Sequence, residues 1–263
     1  MKDCTEPAEA PGAGWRRELD TLFAALTFLT RLPAPSWARF HPDLLQRSAR
    51  YYSWVGLLLG GLHAGLYVLL LQLWSPLLAV LLSGAALVWL TGAFHEDGFA
   101  DFCDGFGGGW QRDQVLTIMK DSRIGSYGSI GLVSLLAIKW TALASLPPEG
   151  AVMALLLGHC WSRWFTASLL MDLTHVRSRG GEKPLATTLS PGGLAVASLP
   201  ALLLWALPGL WTGLALGAVL VLLRWRFRRY LLRRIGGHTG DCLGAFQQLA
   251  EVTLYLVLAA QPV

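Results

Sequence analysis

Long apolar runs separated by short polar ones organise this chain from residue 52 onward. Runs at about 52–73, 76–94, 127–146 and 151–171, together with the segment closing near 260, approach the 20 or so residues that an α-helix needs to cross a bilayer. Two further runs, 194–207 and 209–223, are joined tightly at Pro208; the first is short enough to tilt or re-enter. Residues 22–32, FAALTFLTRLP, are too few to span and predict an interfacial or re-entrant helix. Residues 111–120 set Val115, Ile118 and Met119 against Arg112, Asp113 and Lys120, the pattern of an amphipathic surface piece. In the first span Gly56/Gly60 and Gly61/Gly65 have small-x-x-x-small spacing, which predicts close packing of a neighbouring helix.

Composition agrees with that pattern: of 263 residues 54% are hydrophobic and only 14% charged, and the mean hydropathy is +0.47. The chain is expected to be an all-α, polytopic integral membrane helix bundle of about seven crossings. Of 21 Lys and Arg, 19 lie before residue 52 or in the polar stretches 95–126, 172–193 and 224–243. That alternation places the N-terminus and these stretches in the cytoplasm, and it explains the basic pI near 9.0 without nucleic acid. The six arginines at 224–234 read as a basic loop holding anionic lipid headgroups. Residues 1–20, rich in Ala, Pro and Gly and without a basic run leading into an apolar core, read as a flexible tail rather than a cleaved signal peptide. Residues 21–263 read as one membrane-embedded catalytic domain with cytoplasmic-face motifs at 91–128, 172–193 and 224–245. The four cysteines have neither zinc-site nor disulfide-framework spacing.

The chemistry concentrates at 91–128, which holds six of the 17 acidic residues. With 94–104 helical, Asp97, Asp101 and Asp104 fall at i, i+4 and i+7 on one face, neighbours about 5–6 Å apart. Such a face repels itself unless a cation sits on it, and a hard divalent ion such as Mg²⁺ takes oxygen ligands, one or two of them carboxylates, with substrate phosphates completing the set. The glycines at 105, 107, 108 and 109 are expected to break the helix and bare backbone N–H groups. Lys120 and Arg123 follow as cations suited to phosphate oxygens.

Several polar residues lie inside or beside the spans. Arg163, deep in the fourth span with His159 one turn away, is a functional-site candidate. His63 reads as a hydrogen-bonded core histidine, and Lys139 beside Trp140 as an interfacial anchor pair. Asp241, in GGHTGDCLGA ahead of the last apolar run, is either a helix cap or a second metal or phosphate contact.

HEDGFADFCDG at 95–105, MKDSRIGSYG at 119–128 and GGHTGDCLGA at 236–245, with FLTRLPAP at 28–35 and Ser162-Arg163, resemble the cobalamin synthases, the adenosylcobinamide-GDP ribazoletransferases, in order along nearly the whole chain. The first motif departs at Glu96, where the family carries an apolar residue, and 175–185 matches only loosely, leaving Arg177 and Arg179 unassigned. The resemblance implies an Mg²⁺-dependent phosphotransferase of the cell inner membrane, its active site facing the cytoplasm. It would join adenosylcobinamide-GDP to α-ribazole, or its 5′-phosphate, giving adenosylcobalamin, or its 5′-phosphate, and GMP. Asp97, Asp101 and Asp104 would hold the metal, and Asp121 or Asp241 would orient or deprotonate the attacking hydroxyl. Lys120, Arg123, Arg163, His95, Gly105, Gly125 and Gly240 would contact substrate. Membrane lipids are implied partners, and a homo-oligomer or a complex with other enzymes of the pathway stays open.

Two other classes compete. Asp97-Gly98-Phe99-Ala100 begins like the motif of CDP-alcohol phosphotransferases, but Asp101 stands where Arg is expected and the later spaced aspartates are missing. A small-solute transporter lined by Lys139, His159 and Arg163 would need its site at the midplane, whereas the acidic and glycine-rich motifs lie at one face.

Overall fold

The computed structural model describes residues 13–39, 41–176 and 186–260. Eleven helices account for nearly all of their regular structure: α1 (Ala13–Leu29), α2 (Pro42–Arg47), α3 (Tyr52–Leu70), α4 (Pro76–Thr91), α5 (Phe94–Gly108), α6 (Arg112–Ile118), α7 (Ser126–Ala144), α8 (Pro148–Leu169), α9 (Pro191–Leu203), α10 (Leu210–Arg234) and α11 (Gly240–Ala259). The apolar runs form helices because i→i−4 bonding satisfies the backbone where lipid supplies no partner; α9 gives up one such bond, at Pro200. Prolines at the first turns of α4, α8 and α9 mark the starts.

The protein is a membrane helix bundle. Among the described residues four helical stretches, 43–70, 126–144, 210–234 and 240–259, are individually long and apolar enough to cross, and α4 with α5 makes a fifth if that bent pair is one span. The expected seven crossings with a cytoplasmic N-terminus therefore stand as an expectation. The α8 helix has the length, at 22 residues, but buries His159 and Arg163, and α9 stops at 13 residues and a 3-10 turn. Large apolar side chains such as Trp89, Ile130, Val133 and Trp211 are two-thirds or more exposed, as lipid-facing residues are.

α3 and α8 pack through Gly56 and Gly60. A Cβ at Gly56 would strike the His159 carbonyl, and one at Gly60 would lie 2.9 Å from the Leu155 carbonyl. Gly61 and Gly65 have no heavy atom of another segment in that space, so only the first of the two glycine pairs is a packing stripe.

Four boundaries differ from expectation. The chain is already helical from Ala13, inside the stretch read as a tail; residues 1–12 lie outside the described residues. α5 continues through Gly105 and Gly107 to Gly108, because Met119, Ile118 and Tyr127 cover these glycines and offset the roughly 1 kcal/mol each costs in a helix. The arginines at 224–234 form the last turns of α10 rather than a loop. Arginine is a good helix former, and Arg233 and Arg234 complement the negative helix end. Finally, α4 and α5 meet at 87°. We read α4 as the crossing and α5 as lying across the ends of α7, α10 and α11.

Candidate active site

The turn that lays α5 across the bundle uses two consecutive left-handed residues, Gly92 (φ 66°) and Ala93 (φ 56°). An alanine there costs about 1–2 kcal/mol, so the surroundings must impose it. Part of that constraint is Arg31, whose N–H donates to the Leu90 carbonyl at 2.8 Å and whose guanidinium lies over Gly92.

Beyond the turn α5 crosses the first turns of α11 glycine to glycine. A Cβ at Gly98 would lie 3.1 Å from Asp241 Cα, and one at Gly244 would lie 3.5 Å from Gly98 Cα. The crossing sets Asp241 opposite the α5 carboxylates. Asp97 is exposed, while Asp101 and Asp241 are partly buried. Desolvation, reinforced by the charges of Asp241, Asp97 and Asp104, pushes the Asp101 carboxyl up to about 7. The first and third sequence motifs thus meet at one acidic surface, and Asp241 belongs to it. Thr239 is the residue that caps α11, accepting from Cys242 N–H at 3.3 Å.

Asp104 has a second task. Its Oδ2 accepts from Gly125 N–H at 2.7 Å and its Oδ1 from Gly128 N–H at 2.8 Å, so it holds the first turn of α7. Gly125 and Gly128 are glycines because a Cβ at either would strike that carboxylate. Asp104→Ala is expected to lower stability by about 2 kcal/mol, the scale of losing a charged cap, read as a drop in thermal midpoint. Asp104→Asn, which keeps one acceptor, should lose less.

Motif two folds onto motif one at the same place. Met119 covers Gly105, a glycine expected to contact substrate, which is buried against the Val115 carbonyl and lets the two segments pack closely. Asp121 Oδ2 lies 2.7 Å from Arg123 Nη2, and hydrogen bonds from Arg123 hold the Asp121 carboxyl down to about 2. Asp121 aims Arg123 and is a poor base at neutral pH. Lys120 and Arg123 are both exposed.

Residues 172–176 join the same side. Val176 N–H donates to the His238 carbonyl at 2.8 Å, and His238 N–H to the Thr174 carbonyl at 3.0 Å. Burial pushes the His238 imidazole down to about 4, leaving it neutral. Arg224 of α10 pairs with Asp172 at 3.0 Å. Arg177 and Arg179 lie outside the described residues.

Beneath α5 lies a buried polar network that the sequence did not announce. Lys139 is 5% exposed, with Nζ 2.7 Å from Glu251 Oε1 and 3.1 Å from Gln248 Oε1. The anchor reading of Lys139 is therefore corrected: it points into the bundle because Glu251, itself fully buried, waits there. Gln247 and Tyr255 donate to Glu251, at 2.6 and 3.0 Å, and Gln248 donates to Glu96 at 2.9 Å. His63 is a hydrogen-bonded core histidine as expected, its Nδ1 2.9 Å from His159 Nε2. Arg163 shares one helix face with His159, donating from Nη1 to that residue's carbonyl at 3.1 Å. Glu96 and Glu251 balance Lys139 and Arg163 in formal charge. Glu96, given no role from sequence, ties α5 through Gln248 to α7 and α11. Its signal was weak: one carboxylate on an apolar face, with partners more than forty residues away.

Arg163, His95 and Gly240 line one further feature, a cavity of about 50 Å³ flanking the α5–α11 crossing. Among the described residues no three His, Cys, Asp or Glu side chains stand close enough, as placed, to hold one ion together.

Comparison with known proteins adds to this geometry. A family profile described as cobalamin-5-phosphate synthase, CobS, matches residues 21–259. The chain is 41% identical over 249 residues to a Shewanella pealeana protein named adenosylcobinamide-GDP ribazoletransferase, covering 93% of this chain and 96% of that one. Proteins of the same name from Leptothrix cholodnii, 44% identical over 249 residues (91% and 94% covered), and Vibrio cholerae, 41% over 249 residues (93% and 95%), are also similar. No solved structure matches.

Proposed function

Since the chain belongs to the cobalamin-5-phosphate synthase (CobS) family, we propose that the α5–α11 crossing is where it joins adenosylcobinamide-GDP to a ribazole. The activity is that of an adenosylcobinamide-GDP ribazoletransferase, a membrane transferase of cobalamin biosynthesis. In the reaction a ribose hydroxyl oxygen bonds to the corrinoid-side phosphorus of the pyrophosphate, the bond to the GMP oxygen breaks, and the hydroxyl proton passes to a base. The observation that carries the site assignment is the meeting of Asp97, Asp101 and Asp241 from two separate motifs.

The residues present fit Mg²⁺. All the donors are carboxylate oxygens, and the charges that act on Asp101, those of Asp241, Asp97 and Asp104, share its sign. Asp97 and Asp101 would hold the ion together with substrate phosphate oxygens, the usual set for Mg²⁺; Asp241 stands across the crossing, and both oxygens of Asp104, expected among the ligands, accept from α7 amides. Bound there, Mg²⁺ supplies neutralisation of the charge that spreads over the phosphoryl oxygens. Lys120 and Arg123 contact phosphate oxygens, Arg123 held in aim by Asp121. Asp241, rather than Asp121, takes or orients the hydroxyl proton, because Asp121 is fixed in its charged pair. The basic end of α10 and the three motifs share one side of the bundle, which the positive-inside rule assigns to the cytoplasmic face of the inner membrane.

The sign of the pH dependence follows from Asp101. Its folded-state pKa lies above the ordinary carboxylate value, so between about 4 and 7 the metal-free folded protein binds the proton that the unfolded chain has lost. Metal-free stability should fall as pH rises through that window, and added Mg²⁺ should restore it. The thermal midpoint shift caused by saturating Mg²⁺ is expected to be larger at pH 8 than at pH 5.5; an equal shift at both would remove Asp101 from the site. The reaction itself is tested by supplying adenosylcobinamide-GDP and α-ribazole 5′-phosphate to the protein in nanodiscs and weighing the corrinoid product. Corrinoid with the ribazole attached supports the assignment; unchanged substrate from folded protein would return the CDP-alcohol and transport readings.

A further inference from the structure

The cavity flanking the crossing is closed by α1, α3, α5, α8 and α11 and has features that the chemistry at the carboxylates does not use. Phe28 stacks on Tyr52, centroids 6.1 Å apart at 19°, and meets Phe94 edge-on at 5.0 Å. All three line the cavity, with Leu29 and Leu243 adding aliphatic wall. Set among these apolar groups are two nearly fully buried polar side chains with an unsatisfied atom. Arg163 Nε and His238 Nε2 have no hydrogen-bond partner among the described residues, and each residue is at most 3% exposed. Arg163 Nε–H is an unpaired donor, whose burial costs about 1–3 kcal/mol and calls for an acceptor on the ligand; neutral His238, with Nδ1 3.4 Å from the Thr239 carbonyl, offers Nε2 as an acceptor.

Size narrows the choice. A water needs roughly 10–15 Å³ on the scale by which this cavity is about 50 Å³, so the space equals about three to five waters. At roughly 30 Å³ of liquid per water that is on the order of 100 Å³, the bulk of one flat bicyclic ring. A corrin macrocycle is far too large. Guanine is the right size but presents an edge of several donors and acceptors, whereas these walls are mostly apolar. A glycosylated benzimidazole has aromatic faces, one acceptor nitrogen and no ring donor.

From this we infer that the cavity between Phe28, Phe94 and Arg163 receives the aromatic base of the ribazole substrate. The inference rests on the ribazoletransferase reading above and names where its nucleophile binds. Aromatic side chains contact the ring, Arg163 Nε–H donates to its acceptor nitrogen, and neutral His238, an acceptor at Nε2, is available to a sugar hydroxyl without a charge to repel Arg163. Gly240 lines the cavity and Asp241 follows it, so the sugar leaves the cavity beside the carboxylates that face the pyrophosphate. That is where an attacking hydroxyl is needed.

The test measures GMP release in nanodiscs while each substrate is varied in turn, for wild type, Ala186→Phe, which fills the cavity from the 186–190 segment, and Phe28→Leu, which thins one wall and keeps the core safer. The affinity of α-ribazole alone, from tryptophan quenching, is measured in parallel. The expected result is a tenfold or greater rise in KM and Kd for α-ribazole with Ala186→Phe. Phe28→Leu should give a smaller rise and a several-fold shift in kcat/KM toward benzimidazole ribosides with larger ring substituents. KM for adenosylcobinamide-GDP should stay within twofold in both. A rise confined to the corrinoid KM, or folded variants with both KM values and base preference unchanged, would overturn the placement while leaving the reaction assignment standing. A wild type that releases no GMP and does not bind α-ribazole would overturn both.

Discussion

Asp97→Ala and Asp101→Ala are each expected to cut GMP release by on the order of 10³-fold, the scale on which fixed charge opposite a developing anion acts. Asp97 is the exposed carboxylate of the α5 face, and Asp101 the one whose carboxyl partial burial and like-charged neighbours push up to about 7. If a cation is what makes that face tolerable, the two substitutions should part company in stability. Asp101→Asn removes a charge that the metal-free fold disfavours, so its thermal midpoint without Mg²⁺ at pH 8 should rise above wild type even as turnover collapses. Asp97→Ala, which relieves only one of the repulsions on Asp101, should raise the midpoint less. An Asp101→Asn variant that retains turnover would show that this carboxylate is only a surface charge.

The second large effect belongs to stability. Lys139→Met is expected to cost about 3–5 kcal/mol, because it strands a fully buried Glu251 that Gln247 and Tyr255 also address. Thermal unfolding in nanodiscs should register this as a fall on the order of 10 °C. Glu251→Gln keeps acceptors for Lys139 and Tyr255 and should cost less. Lys139→Met combined with Glu251→Met should recover part of the loss, with Gln247 and Tyr255 left short of a partner. A Lys139→Met protein as stable as wild type would return Lys139 to the role of interfacial anchor.

Lys139 also illustrates what the sequence could not convey. A lysine beside a tryptophan near the end of an apolar run is a common anchor signature, and nothing local distinguishes it from one whose partner stands 112 positions later on another helix. Asp104 is similar. Its spacing from Asp97 and Asp101 put it correctly on their helix, yet whether its oxygens face a metal or two amides was decided by Gly125 and Gly128, which only the α5–α7 packing brings to it. The apolar runs, by contrast, located the long helices well, since in lipid the backbone has few alternatives to the α-helix. Glycine was the least reliable guide. At 56 and 60 it marked a helix contact, at 61 and 65 open space, and at 105 and 107 a helix that carries on under covering side chains. The convergence of 91–128 with 236–245 was legible because loop charges sort to one side of a membrane. That the two motifs would touch through Gly98 and Asp241 was not.

The most direct test of the account is the rate of GMP release from adenosylcobinamide-GDP and α-ribazole 5′-phosphate as Mg²⁺ is titrated into metal-free protein in nanodiscs, beside Asp97→Ala. Wild type should show a saturable rise with Mg²⁺ and none in EDTA, and a folded Asp97→Ala protein should stay near the EDTA rate at every concentration. Equal GMP release with and without Mg²⁺, or an Asp97→Ala variant as fast as wild type, would contradict it.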